Sequence, residues 1–214
     1  IIYLPNIWNC HSGFNFSRTE NITPYVKNKY ITFGSFNNFN KINDRVINVW
    51  SQILKRVNNS KLILKSSSKV ETDRLKNIFK QNSVLKAVKF LDPKKEFKDH
   101  LYLYRNIDIA LDTFPYNGVT TSFEAIWMGI PVITMRGFNS NSRCGESINK
   151  NIGMEKLIAN NDEDYISKAI NIGNNRTNLL DLRKEIFENS LNSSLFNVKD
   201  FAYHFYSTLI KIKD

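Results

Sequence analysis

Cysteine is scarce: Cys10 and Cys144 are the only two in 214 residues, and they share no CxxC or Cys/His spacing. That excludes a disulfide-framed scaffold and a thiolate-clamped metal. Free thiols in a reducing, cytoplasmic compartment are the expectation, with a Cys10 to Cys144 bridge left open. Glycine is also sparse, at eight residues, and neither a GxGxxG fingerprint nor a Walker loop can be assembled from them. No apolar run approaches the roughly 18 to 20 residues of a membrane helix, so no membrane span is expected. The first five residues lack the charged start and apolar stretch of a signal peptide. With Ile1 in first place, the start reads as internal to a larger protein.

Acidic residues are in deficit, 20 against 30 Lys and Arg, for a formal net charge of +10. Such a surplus raises the question of nucleic acid. The lysines, however, fall singly or in short pairs such as Lys94-Lys95, with neither a clustered stripe nor the strand aromatics of an RNA-binding sheet. The charge therefore reads as a general preference for anionic ligands, and nucleic acid is not an expected partner.

What is present is alternation. From Tyr30 onward, strands are expected at 30–36, 61–64, 87–91, 107–112 and 130–135, and helices at 44–57, 71–80, 95–104 and 121–128. Helices alone follow, at 142–150, 162–172, 177–190 and 198–212. The fold class is α/β: a Rossmann-like doubly wound parallel sheet with extra C-terminal helices. Residues 1–29, without sustained periodicity, are expected as an extended lead-in on the domain surface, and 30–214 as a single lobe.

The densest chemistry lies in Leu111-Asp112-Thr113-Phe114-Pro115-Tyr116-Asn117-Gly118-Val119-Thr120-Thr121-Ser122-Phe123-Glu124, a buried strand, a turn and a hydroxyl-rich helix start. Amides at a helix start are unpaired and carry part of a positive charge, which suits a phosphate without any metal. The structural alternative is a capping box, with Thr121 paired to Glu124. The loop after the first strand, Phe36-Asn37-Asn38-Phe39-Asn40-Lys41, reaches the same switch-point crevice in a doubly wound sheet, so Lys41 is expected to face Thr120 and Thr121 across one bound group.

Those segments, together with Trp127-Met128-Gly129-Ile130-Pro131, Ser142-Arg143 and Leu195-Phe196-Asn197, resemble the carboxyl-terminal half of the O-linked N-acetylglucosamine transferase (SPINDLY-type) glycosyltransferases. The resemblance implies the donor-binding lobe of a two-lobed GT-B enzyme using a UDP-sugar, most directly N-acetylglucosamine, for inverting transfer to protein Ser or Thr. It gives Asn38 and Lys41 to the diphosphate, Lys41 being the catalytic group. Thr120 and Thr121 go to the phosphates, Glu124 to the ribose hydroxyls, and Pro93, Lys94 and Lys95 to uracil and ribose; Asn117 and Gly118 are further substrate-binding candidates. His100 falls near the nucleotide, and Arg143 is a candidate for reaching the donor.

The resemblance also implies partners outside these residues: an N-terminal lobe with the general base, a helical-repeat region of the TPR kind, and a protein acceptor. Val119 stands where many members have histidine, Glu124 replaces an aspartate, and Leu103 an arginine. UDP-glucose or another nucleotide sugar is the alternative donor, and a noncatalytic interaction module is the alternative class. Asp162-Glu163-Asp164 matches a loose DxD pattern but opens a helix, so acidic capping is expected, with no metal or other cofactor. His11 and His204 are isolated and read as packed or surface imidazoles.

Overall fold

The computed structural model describes residues 2–14, 23–66 and 68–213. Six strands form one parallel sheet: β1 (Thr32–Ser35), β2 (Lys61–Lys65), β3 (Val88–Leu91), β4 (Ile109–Leu111), β5 (Val132–Met135) and β6 (Ile158–Ala159). Their order is β3-β2-β1-β4-β5-β6, the doubly wound arrangement in which the chain reverses direction across the sheet between β1 and β4. The central strands are buried along their whole length, as expected for a parallel sheet covered on both faces.

The helices are α1 (Pro24–Asn28), α2 (Asp44–Arg56), α3 (Lys69–Gln81), α4 (Phe97–Leu103), α5 (Thr120–Trp127), α6 (Cys144–Lys150), α7 (Asp162–Asn174), α8 (Arg176–Leu191) and α9 (Val198–Lys213). Short polar residues start several of them. Asn43 accepts from the Val46 amide at 3.0 Å, Ser68 from Glu71 at 3.2 Å and Asn161 from Asp164 at 2.9 Å. Helix α2 buries Val46, Ile47, Trp50 and Ile53 completely and packs on α3 and α7. Its stripe, spaced by three and four residues, is the one the sequence displays.

Two expectations need correction. The lead-in is not wholly extended, because Pro24 starts the short helix α1, and it is not merely superficial, because Ile7 and Phe14 join the core. Residue 1 and residues 15–22 of that lead-in lie outside the described residues. A sixth strand, β6, pairs with β5 through Thr134 and Met135; two residues are too short to show a periodic pattern. The acidic triplet opens α7 as expected, in the first turn behind the Asn161 cap, where Asp162, Glu163 and Asp164 pair with Arg45, Arg56 and Lys168. No cluster of His, Cys, Asp or Glu suited to a metal occurs among the described residues.

Candidate functional site at the carboxyl ends of β1 and β4

Asp112, the first residue after β4, organises the loop that follows it. One carboxylate oxygen accepts from the amides of Thr113 (2.9 Å) and Gly118 (2.7 Å), and from Asn37 Nδ2 at 3.4 Å. The other oxygen accepts from Thr134 Oγ1 at 2.7 Å. Burial pushes this carboxyl up to about 6, although those hydrogen bonds and the charge of Lys41 pull in the opposite direction. The 113–118 loop is thereby wound around one buried acid. Gly118 is required there: a Cβ would lie 2.6 Å from Thr121 Oγ1 and 2.8 Å from Asn37 Oδ1.

Two contacts join this loop to the one after β1. Lys41 Nζ donates to the Asn117 carbonyl at 2.9 Å and lies 4.1 Å from the centre of the Tyr116 ring. Thr121 Oγ1 donates to Asn37 Oδ1 at 2.8 Å. Burial holds the Lys41 ammonium below the usual lysine value, with Asp112 and Cys144 opposing that shift. The side chain of Asn117 is spent on the scaffold, donating to the Thr113 carbonyl and accepting from the Gly145 amide. Lys41, Asn117, Gly118 and Thr121 thus come together as the sequence leads one to expect, with Thr120 exposed at the start of α5.

The capping box does not form. No side chain caps α5, whose N-cap is Val119. Both members of the Thr-x-x-Glu pair are claimed by other elements, Thr121 by Asn37 and Glu124 by α4. Glu124 Oε2 lies 2.9 Å from His100 Nε2 and accepts from Tyr104 OH at 2.7 Å. Tyr104 also donates to the Thr121 carbonyl at 3.1 Å, and Lys65 Nζ at the end of β2 lies 3.5 Å from His100 Nδ1. Asp112, Tyr104 and Lys65 were missed by sequence reasoning. Asp112 carried a signal, an acid closing an apolar strand; the other two depend on the order of the strands.

The remaining candidates are peripheral. Pro93, Lys94 and Lys95 form an exposed stretch after β3, and Asn38 is exposed with its Oδ1 accepting from the Asn40 amide at 3.0 Å. Arg143 is engaged with Glu146 at 2.8 Å, and the same buried carboxylate takes Arg136 and Lys150, each at 2.9 Å. Burial raises Glu146, but hydrogen bonds from Arg143 and Lys150 and the charge of Arg136 outweigh it and hold the group at about 2.

Residues 18–205 match the family described as glycosyl transferase family 41. The chain belongs to that family. This family-41 chain is 36% identical over 192 residues to a probable UDP-N-acetylglucosamine–peptide N-acetylglucosaminyltransferase SPINDLY of Eustoma exaltatum subsp. russellianum, covering 88% of itself and 21% of that protein. A protein of the same name from Petunia hybrida is 33% identical, with 97% and 23% covered. The chain therefore spans about a fifth of the length of the curated relatives it matches. Among solved structures, an O-GlcNAc transferase variant from Thermobaculum terrenum superposes with a TM-score of 0.79 at 30% identity, over 84% of this chain and 35% of that one. The family-41 chain accordingly has the fold of a GT-B carboxyl-terminal lobe.

Proposed function

We propose that this family-41 chain binds the nucleotide sugar in a transferase that moves N-acetylglucosamine from UDP to protein Ser or Thr with inversion. The observation that carries the reading is the bond from Lys41 Nζ to the Asn117 carbonyl, which seats an ammonium group beside the turn leading into α5. The names of the relatives, UDP-N-acetylglucosamine–peptide transferases, supply the donor and acceptor classes.

In this reading Lys41 stabilises the charge that grows on the departing diphosphate, so it lowers the barrier as the bond to the sugar breaks. The amides of Thr120 and Thr121 and the exposed Thr120 hydroxyl take the phosphate oxygens, with Gly118 allowing close approach and Asn117 holding the turn. Asn38 reaches the diphosphate from the facing loop. Glu124 accepts from ribose hydroxyls beside His100, while Pro93, Lys94 and Lys95 touch base and ribose; Arg143 reaches the donor at the cost of its bond to Glu146. No metal or other cofactor is needed for this division of labour. The general base, a TPR-type region and the acceptor contacts belong to other parts of a cytoplasmic enzyme.

Calorimetric titration with UDP tests the reading. The unmutated chain binds UDP, and Lys41→Met weakens that binding at least tenfold with little change in Tm, on the order of one charge-assisted hydrogen bond. Failure of the unmutated chain to bind UDP favours the interaction-module alternative. Equal binding by Lys41→Met removes Lys41 from the site. A panel of UDP-sugars in the same cell orders the donors.

A further inference from the structure

Lys65 closes β2 with a half-buried ammonium group that has no carboxylate within ion-pair distance among the described residues. Its hydrogen bond is to His100 Nδ1, at 3.5 Å. An ammonium group can only donate, so this contact favours the tautomer with Nδ1 as acceptor and the ring proton on Nε2. Nε2 then donates to Glu124 Oε2, which also accepts from Tyr104 OH. Two donors thus fall on Oε2 and none of the described hydrogen bonds reaches Oε1, in a residue only 4% exposed.

We propose that Lys65 is the positioning residue for Glu124, acting through His100, and that this line of contacts makes the crevice select a ribonucleoside diphosphate over its deoxy counterparts. The proposal rests on the donor-site reading above. The physical reason is tautomeric. Were the proton on Nδ1, the lone pair of Nε2 would face Glu124 Oε2 and the two acceptors would repel. The donor from β2 blocks that state and fixes which way the carboxyl group turns. Burial also holds the Lys65 ammonium below the usual lysine value, with Glu124 opposing, as fits a cation that works through short-range contact in a partly dry place.

Two measurements on the 214-residue chain and on Lys65→Met and Lys65→Arg test it. Calorimetry with UDP, 2′-deoxy-UDP and 3′-deoxy-UDP is expected to show the unmutated chain preferring UDP by about tenfold over at least one deoxy form, as for a hydrogen bond to a charged group. Lys65→Met loses that preference, by weaker UDP binding rather than stronger deoxy binding, and Lys65→Arg restores it. Nitrogen-15 spectra of the three histidine rings, read without ligand, are expected to place the His100 proton on Nε2 and to show more protonation at Nδ1 in Lys65→Met. An unchanged preference in Lys65→Met overturns the selectivity, and an unchanged tautomer overturns the positioning role. If the unmutated chain binds no UDP, the donor-site reading fails, while the spectra still decide whether Lys65 sets the ring.

Discussion

Asp112 shapes the 113–118 loop from a buried position, through the amides it accepts from. Its folded-state value of about 6 lies above the ordinary 3.8, so between those values the folded chain holds more proton than the unfolded one. Stability attributable to Asp112 is therefore full below about pH 4, falls as pH rises through 6, and is flat above. Asp112→Asn, which keeps the acceptor for Gly118 and Thr113, is expected to abolish that fall, on the order of 3 kcal/mol. Denaturant unfolding of both chains at several values from pH 4 to 7 checks it, and parallel curves would contradict it. Gly118→Ala, pushed against Thr121 and Asn37, is expected to lose about 1 to 3 kcal/mol and most UDP affinity. At this scale Lys41, Gly118 and Thr121 were legible, because their residue types match a loop facing a helix start. The use of Glu124 was not: a local Thr-x-x-Glu pattern cannot reveal that His100 and Tyr104 approach from α4 and the turn after it.

Elements were legible wherever they were long. The stripes of α2, α3 and α7 are bounded within about two residues of their observed ends, and the central strands are legible as apolar runs that the structure shortens at their rims. What escaped were α1, a five-residue turn of helix, and β6, neither of which spans enough residues to establish a period. Tyr104 ties its own turn to α5 at two points, so Tyr104→Phe should cost about 1 to 3 kcal/mol in thermal or denaturant unfolding. Glu146 does the corresponding work for α6, gathering Arg136, Arg143 and Lys150. Because its value is depressed to about 2 from 4.5, its stabilisation is present above pH 4.5 and is lost as pH falls towards 2. Glu146→Gln should flatten the acid limb of the stability curve in that window; an unaltered limb would show that the three cations contribute nothing there.

For the molecule as a whole, the order β3-β2-β1-β4-β5-β6 converts separate sequence signals into one crevice. It sets the carboxyl ends of β1 and β4 side by side, so loops more than 70 residues apart in the chain share the bonds from Lys41 to Asn117 and from Thr121 to Asn37. Fold class was open to the alternation of strands and helices, and the shared crevice to the general rule for doubly wound sheets. The hydrogen bonds that close it were not, since they depend on side chains meeting across elements. With about a fifth of its relatives' length, the chain is expected to bind UDP weakly and to transfer sugar negligibly in a radiolabel assay; robust transfer would place the general base within these residues. The most direct measurement is a crystal structure of the chain with UDP. Density for the diphosphate between Lys41 Nζ and the amides of Thr120 and Thr121 is the expected result, and UDP bound elsewhere, with that crevice empty, would contradict it.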